Sequence, residues 1–299
     1  LLSIPPAFPL QKASYLESAT ISDENDSVVA QDFIVKLSNT HAYAIVGPQA
    51  ESIKNKPVRV APKDESGCHL KLVSIHNERE DRRLLPVYLQ AHYNPKERFA
   101  DSHTITALAE HLLGRQNMDL KKNVTADFFE MPAHARDETG FVVTDRNAFT
   151  YETFDVSSLV EQLVTNDDVT ITRYSTGDLE DLVDYDSGVS GFQRNAYIED
   201  LCLKTRCFIA RDHDIVVGVL FGGEGRVYAL YADSRPISHS LLAAFLKTNS
   251  APTVSLFAPS GVWRGSKLST RVVRRHTRAV PSLIDWTRVY SHNVGMNIV

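Results

Sequence analysis

The chain has 299 residues, of which 43% are hydrophobic and 23% charged, and its formal net charge is -5 at pH 7. This length and balance are typical of a globular protein with two domains of roughly 100–200 residues each. The acidic balance argues against nucleic acid as the main partner, because phosphate binding needs a surplus of basic residues.

The start of the chain and its cysteines bear on location and redox state. Residues 1–10 contain three prolines and no basic residue, which fits neither a signal peptide nor a membrane span. We therefore expect an intracellular protein that does not cross a membrane. Cys68, Cys202 and Cys207 are too few for a disulfide framework and lack histidines at zinc-like spacing. They are predicted to be buried free thiols, and no metal site is expected.

The first half reads as a strand-rich domain with few helices. Residues 1–25 are poorly patterned and predict a lead-in segment, and Val28–Leu37 is compatible with a short helix. Runs rich in Val, Leu and Ile predict strands at Ala42–Val46 (ended by Gly47-Pro48), Pro57–Ala61, His69–Ile75, Leu84–Tyr93 and Val124–Phe129. Helices are predicted after a cap at Asp101 or Ser102 and at Pro132–Glu138, followed by a final hairpin of Phe141–Val143 and Phe149–Phe154.

The alternation of elements begins again after the predicted connector Asp155–Asp168. Strands are predicted at Val169–Arg173, Arg206–Arg211, Ile215–Phe221, Arg226–Tyr231, Val254–Phe257 and Trp286–Tyr290, with an irregular helix before the last of these. Helices are predicted at Asp178–Tyr185, Arg194–Lys204 and Pro236–Lys247. The repeated order predicts an α/β (α+β) protein of two similar domains, each a mixed, mostly antiparallel sheet flanked by helices.

Two motifs near the second helix-rich stretch allow more than one interpretation. The glycines of Gly222–Gly225 are followed by a strand rather than a helix, so a hairpin turn is favoured over a phosphate cradle. Ser238-His239-Ser240 lacks a positioned acid, which argues against a catalytic triad. With Ser234 as cap and Pro236 in the first turn, this helix start suits a pyrophosphate or is simply a well-capped helix.

One stretch near the C-terminus is strongly basic. It contains Arg271, Arg274, Arg275, His276 and Arg278. A solvated strand face is one interpretation, and attraction of a phosphorylated ligand or partner is the other.

The order of elements resembles the GNAT acyltransferase superfamily, used twice in tandem. In the first half the resemblance is carried by Asn123–Phe129, Met131-Pro132 and Thr139–Phe141. In the second half it is carried by segments similar to a GNAT-like domain of poorly characterised two-domain proteins: Asp178–Tyr185, Gly191–Arg194, Ile215–Gly218, Tyr231–Ser234, Tyr290 and Met296-Asn297. The resemblance implies domains at 26–160 and 161–299.

The resemblance also implies a reaction and its site. GNAT proteins transfer an acyl group, often acetyl, from CoA to an amine on a small molecule or protein, and His92 at the end of the fourth strand is the candidate base. The implied CoA contacts are Asn94, Lys96, Arg98 and Ser102 in the first half and Ser234, Arg235 and Ser238 in the second.

The chain departs from the GNAT pattern at its phosphate loops. Neither 94–101 nor 232–236 contains a glycine, and Asp233 would repel a phosphate. The short helix of the first half carries Arg136 where many GNAT proteins have a tyrosine acid. Two functions therefore remain open: an acetyl-CoA-dependent N-acyltransferase, and a catalytically inactive GNAT-fold scaffold or ligand-binding module.

Overall fold

The computed structural model describes residues 16–36, 41–50, 52, 60–62, 69–72, 123–128, 142–223 and 225–292. These residues form two compact units. The first contains the described residues up to Asp145 together with Arg274–Val280, and the second contains Arg146–Val273 and the described residues from Pro281 onwards. The described part of the first unit consists of strands, and the second unit combines strands with helices. The described chain is therefore a mixed α/β protein with mainly antiparallel sheets.

The described part of the first unit is a sheet of short and medium strands. They are β1 (Leu16–Ser22), β2 (Val28–Lys36), β3 (His41–Gln49), β4 (Val60–Pro62), β5 (His69–Leu72), β6 (Asn123–Phe128) and β7 (Val143–Thr144). β1, β2 and β3 pair antiparallel in sequence order, β4 pairs antiparallel with β5, and the pairs β1–β5 and β3–β6 are parallel. Ile21, Val35 and Tyr43 are fully buried in it.

The sequence predicted most of these strands, misassigned one and missed another. The described residues of the predicted strands Ala42–Val46, His69–Ile75 and Val124–Phe129 lie in strands, whereas β2 (Val28–Lys36) replaces the helix predicted over Val28–Leu37. β2 pairs with strands on both sides, so its β-branched residues are fixed by pairing and burial rather than by local propensity.

β3 continues through Gly47-Pro48, where its register against β2 shifts. These two residues lie opposite the single residue Gln31, so β3 itself carries the bulge.

Several predicted elements of the first half cannot be compared with the structure. The predicted lead-in 1–25 is wrong for Leu16–Ser22, because these residues form β1 and pair with β2, while its residues 1–15 lie outside the described residues. The strand Leu84–Tyr93, the helix after Asp101 and the helix Pro132–Glu138 also lie outside the described residues.

The second unit contains the helices of the described chain. Its strands are β8 (Phe149–Asp155), β9 (Thr170–Arg173), β10 (Arg206–Asp212), β11 (Ile215–Gly223), β12 (Arg226–Ala232), β13 (Thr253–Pro259), β14 (Leu268–His276, of which Arg274 onwards belongs to the first unit) and β15 (Val289–Ser291). Its helices are α1 (Val156–Val160), α2 (Leu179–Ser190), α3 (Asn195–Lys204) and α4 (Arg235–Leu246), with 3-10 turns at Thr176–Asp178 and Trp286–Arg288.

The sheet of the second unit is an antiparallel meander extended by a parallel step. β9 to β12 pair antiparallel in sequence order, β12 and β13 are parallel, and β8 pairs antiparallel with both β13 and β14. α4 packs its apolar stripe on this sheet and closes a core that includes Leu220, Leu230, Leu241, Phe245 and Leu256. A Cβ at Gly222 would lie 2.5 Å from the ring of Phe245, which explains a glycine inside β11.

The predicted meander of the second half is confirmed, while two neighbouring predictions are wrong. Phe141–Val143 and Phe149–Phe154 do not form a hairpin with each other, because β7 pairs with β14 and β8 pairs with β13 and β14. The predicted irregular helix after Phe257 is replaced by β14, whose alternating serine, threonine and valine residues suit a strand.

The division of the chain falls between Asp145 and Arg146 rather than within the predicted connector Asp155–Asp168. That connector belongs to the second unit, since α1 follows β8 directly and Leu159 is part of the core. The backbone N–H of Val156 also donates to the carbonyl of Pro252, at 3.0 Å.

The described residues also bear on the cysteines and on membrane-spanning helices. Cys202 and Cys207 are free and buried, as predicted for these two, while Cys68 lies outside the described residues. In the part of the chain that the structure describes, the helices are too short or too polar to cross a bilayer.

Candidate functional site

The N-terminus of α4 is the predicted pyrophosphate site of the second half. Ser234 takes the N-cap position in an extended conformation (φ −150°, ψ 161°), and Pro236 lies in the first turn as predicted. The Ser234 side chain makes no capping hydrogen bond. The local geometry thus matches the predicted helix start, but the groups around it decide whether a ligand could reach it.

The remaining predicted cofactor residues of this site are already engaged. The guanidinium of Arg235 donates to the carbonyl of Val262. Ser238 is fully buried, and its hydroxyl donates to the carbonyl of Arg235 at 2.7 Å, while its N–H donates to the Ser234 carbonyl at 3.1 Å. Both side chains therefore serve contacts within the chain rather than facing an open groove.

A short segment, residues 163–168, is bonded to the second turn of α4. The N–H of Val164 donates to Nδ1 of His239 at 2.9 Å, and the N–H of Asn166 donates to the hydroxyl of Ser240 at 2.8 Å. His239 and Ser240 are both buried. His239 therefore accepts a hydrogen bond from the backbone of this segment.

Asp233 lies between β12 and α4 and is neutralised by groups that sequence reasoning missed. Its carboxylate accepts from the guanidinium of Arg288 at 2.5 Å and from the hydroxyl of Tyr185 at 3.0 Å. The Arg288 guanidinium also lies 4.7 Å from the centroid of the Tyr185 ring. Burial, together with the Asp233 charge, raises the pKa of Tyr185 well above its usual value. Tyr185 ends a predicted helix, but nothing local in the sequence links it to Arg288.

The gap between the parallel strands β12 and β13 is filled from within the chain. The two strands are paired at Arg226 and Ser255. Farther along, β15 pairs antiparallel with β12, with Leu230 opposite Ser291. The N–H of His292 donates to the carbonyl of Phe257 in β13 at 2.7 Å. β15 thus occupies the place where the two parallel strands diverge.

Side-chain contacts also hold the residues in and around β15 in place. The indole N–H of Trp263 donates to the carbonyl of Tyr290 at 2.8 Å. Phe149, Phe257, Trp286 and His292 pack their rings together, with centroids between 4.2 and 5.8 Å apart. Removing β15 would expose this aromatic cluster to water.

A surface hollow of about 330 Å³ lies beside Tyr185. It is lined by Asp181, Asp184, Tyr185, Asp214, Ile215 and Val216. Asp181 already pairs with Arg211 at 3.0 Å, and the remaining carboxylates make the hollow acidic. An anionic cofactor such as CoA would be repelled from it.

The predicted site residues of the first half cannot be placed. His92, Asn94, Lys96, Arg98, Ser102 and Arg136 lie outside the described residues. The described residues of the first unit instead contain two buried polar clusters, both built on β6.

The first cluster joins Arg274 to Asp127. Nε and one terminal nitrogen of the fully buried Arg274 donate to the two carboxylate oxygens of Asp127, each at 2.8 Å. The hydroxyl of Tyr43 donates to the same carboxylate at 2.6 Å. Burial on its own would lower the pKa of Arg274, but the Asp127 charge and hydrogen bonds outweigh it and raise the pKa. The guanidinium therefore stays charged in the interior.

The second cluster joins β6 to the basic stretch through a histidine. Nδ1 of His276 lies 2.7 Å from the hydroxyl oxygen of Thr125, and its Nε2 lies 2.9 Å from the carboxylate of Asp145. The side chain of Asn123 accepts from the N–H of Arg278 and donates to the carbonyl of Ala279. All three members of the Thr125–His276–Asp145 cluster are buried, so they hold the strand rather than meet a substrate.

These clusters correct both interpretations of the basic stretch. Arg274, Arg275 and His276 are buried, so they form neither a solvated strand face nor an open anion site, whereas Arg271 and Arg278 are exposed. Within the described residues no group of three or more His, Cys, Asp or Glu side chains could hold a metal ion.

Comparison with known proteins adds a fold relationship and a partial family match. Residues 1–143 match a family model described as a domain of unknown function, DUF7596. No curated protein sequence matches the chain. A protein from Pyrococcus horikoshii described as a candidate acetyltransferase has 11% identity and a TM-score of 0.52, covering 91% of this chain and 77% of its own.

Two other solved structures are less similar. A tandem GNAT protein from the clavulanic acid biosynthesis pathway has 9% identity and a TM-score of 0.48, covering 91% of this chain and 86% of its own. A GCN5-related N-acetyltransferase from Sphaerobacter thermophilus has 11% identity and a TM-score of 0.44, with coverages of 86% and 79%. The likeness to the Pyrococcus horikoshii protein, at a TM-score of 0.52 and 11% identity, shows a similar fold and leaves the reaction open.

Proposed function

We propose that this chain is a tandem GNAT-type N-acyltransferase whose acyl-CoA site belongs to the first half and whose second unit is a non-catalytic copy. The observation that carries the proposal is the occupation of the β12–β13 gap by β15. A GNAT-type site needs that gap for the extended arm of CoA. In the second unit, the strand β15 lies where the cofactor would bind.

The anion site of the second unit is closed as well. Arg235 donates to the Val262 carbonyl, and Asp233 presents a carboxylate beside the first turn of α4. The segment 163–168 is bonded to His239 and Ser240 in the next turn. A pyrophosphate at this helix start would have to displace the Arg235–Val262 and Arg288–Asp233 contacts, which costs binding free energy.

The first half offers candidate residues for the reaction. Lys96 and Arg98 supply positive charge for the phosphates, and no aspartate stands at the position that corresponds to Asp233. In the proposed reaction the amine nitrogen of the acceptor attacks the thioester carbonyl and His92 takes up the amine proton. The C–S bond then breaks, which leaves the amide and a CoA thiolate that takes a proton from solvent. The acceptor is a small molecule or protein that bears an amine.

The test is calorimetric titration of the whole protein with CoA and acetyl-CoA. Arg98→Ala removes one charge-assisted contact and should weaken binding by about 1.5–3 kcal/mol, roughly 10- to 150-fold. Arg235→Ala is the matched control in the second half and should leave the dissociation constant unchanged. Weaker binding in Arg235→Ala alone would move the site to the second unit and overturn the proposal.

A non-catalytic scaffold or ligand-binding module is the second candidate. The observation that favours it is the lack of glycine in both phosphate loops, 94–101 and 232–236, because side chains there crowd the backbone N–H groups that hold a pyrophosphate. This candidate expects no heat of CoA binding in the wild type or in either variant, and no release of thiol from acetyl-CoA with any amine.

A further inference from the structure

The contact between residues 163–168 and the second turn of α4 depends on an unprotonated imidazole nitrogen of His239. The N–H of Val164 points at Nδ1 of His239 from 2.9 Å, and an N–H can donate only to a ring nitrogen that carries no proton. His239 is therefore neutral when the segment 163–168 is in place. Because its side chain is only 7% exposed, water cannot replace the lost donor without a movement of the segment.

A second contact ties the same segment to the next residue of the helix. The hydroxyl of Ser240 accepts from the N–H of Asn166 at 2.8 Å and lies 3.2 Å from the Asn166 carbonyl and 3.1 Å from the Pro236 carbonyl. Val164 itself is 68% exposed, so the segment is a surface strap held mainly by these backbone contacts and by the partly buried Leu163.

The surroundings of the His239 ring disfavour its protonation. The His239 ring packs on Trp263, with centroids 5.7 Å apart. Burial, and then the charge of Arg235 four residues earlier on the same helix, lower the pKa of His239, while the hydrogen bond with Val164 opposes them. The other charged or titratable groups on the elements around the ring are Asp167, Asp168, Asp233, Arg264 and Tyr290.

We propose that His239 is an acid-sensitive latch that holds residues 163–168 on the second turn of α4 at neutral pH and releases them when its ring is protonated. The sign follows from linkage: the latched state favours the neutral ring, so latching is complete above the pKa of the released ring and weakens as the pH falls below it. Release frees the residues that lead into β9 and exposes His239 and Ser240 in the second turn of α4.

Hydrogen exchange of the full-length protein, followed by NMR at pH 7.5 and pH 5, tests the latch. The protection factors of the Val164 and Asn166 amides should fall together at pH 5, by up to the roughly 30-fold that a free pKa of ~6.5 permits. The amide of Val219 in the buried strand β11 reports unfolding of the whole unit and should keep its protection.

His239→Asn is the matched variant, because its amide oxygen occupies the position of Nδ1 and accepts at every pH. The variant should show the same protection at pH 5 and at pH 7.5. Three results contradict the latch: unchanged protection in the wild type, loss at Val164 with Asn166 unaffected, or the same acid response in His239→Asn. Ser240→Ala should lower protection at both pH values without creating a pH dependence.

Discussion

Two buried arginine–aspartate pairs, one in each unit, have nearly the same geometry and very different positions along the chain. Arg274 grips Asp127 through two hydrogen bonds of 2.8 Å and is 147 residues away from it in sequence. Arg194 grips Asp186 through hydrogen bonds of 2.7 and 2.6 Å at a separation of eight residues. The first pair holds a distant segment on β6, and the second fixes the turn between α2 and α3.

The comparison separates the chemistry of a contact from its role in the fold. Both pairs remove two charges from water, and the attraction between them roughly offsets that desolvation. Their net contributions to stability are therefore similar and small, whereas the loss of one partner is costly in either unit. The two pairs differ in what they fix in the fold. The Arg274–Asp127 pair positions a segment remote in sequence, and the Arg194–Asp186 pair fixes a local turn.

The largest expected effect comes from breaking the long-range pair. Arg274→Ala leaves Asp127 charged and buried and should lower the free energy of unfolding by about 3–5 kcal/mol in urea denaturation followed by circular dichroism. The double variant Arg274→Met with Asp127→Leu removes both charges and should recover most of that loss. A loss below 1 kcal/mol in the single variant would show that water reaches this carboxylate.

The local pair should be somewhat more tolerant. Each alanine variant leaves its aspartate one hydroxyl donor, Ser190 for Asp186 and Tyr43 for Asp127. The difference is sequence distance, because Asp186 and Arg194 stay close along the chain without their contact, whereas Arg274→Ala releases a segment 147 residues from Asp127. The expected loss of unfolding free energy is about 2–4 kcal/mol, measured in the same way. Arg194→Lys keeps the charge but only one of the two bonds and should fall between wild type and alanine. A larger loss here than for Arg274→Ala would reverse the ranking of the two pairs.

The turn that the local pair fixes can be tested directly at its glycine. Gly191 ends α2 with φ of 74°, and a Cβ there would lie 2.4 Å from Cβ of Leu283. Gly191→Ala should cost about 1–3 kcal/mol of unfolding free energy because of both the left-handed backbone and this contact. Gly188→Ala is the control: its nearest atom would be 4.0 Å away, and alanine should be neutral or stabilise the helix.

A third buried carboxylate has hydroxyl neighbours instead of an arginine and gives the smallest effect. Glu152 accepts from the hydroxyl of Ser266 at 3.2 Å, and burial raises its pKa despite hydrogen bonds from serine and threonine. The folded state thus holds its proton more tightly than the unfolded chain, so Glu152 lowers stability as the pH rises above about 4.3. Glu152→Gln should gain stability over wild type at pH 7.

The gain should shrink when both proteins are compared by urea denaturation at pH 4, where the carboxyl is mostly protonated in both states. An advantage of the glutamine variant that is equal at the two pH values would mean that packing, and not the charge, explains it.

The sequence predicted the meander of the second unit well and the buried pairs not at all. β10, β11 and β12 are runs of Val, Leu, Phe and Ala separated by short turns, so composition and spacing are enough to place them. Val28–Leu37 was misassigned because its pattern suits a helix until pairing on both sides makes it a strand.

The predictions about functional-site residues failed for a different reason. Asp233 was expected to repel a phosphate, but its partner Arg288 is 55 residues away, and no local pattern links the two. In the same way Arg274 and His276 look like a solvated basic face until Asp127, Thr125 and Asp145 are brought to them. Contacts that form only in the tertiary structure cannot be predicted from the sequence pattern around either partner.

The first unit is discontinuous along the gene product, and this limits how the protein can be taken apart. The matched family segment ends at residue 143, yet the side chains of Asp127, Thr125 and Asn123 are satisfied by Arg274–Val280. A fragment cut at that boundary would deprive Asp127 of the charge of Arg274, and Thr125 and Asn123 of their bonds to His276, Arg278 and Ala279. The first half is therefore not a transferable module: a fusion, a truncation or a recombination event that separates it from residues 274–280 would inherit the sequence of the unit without its last strand.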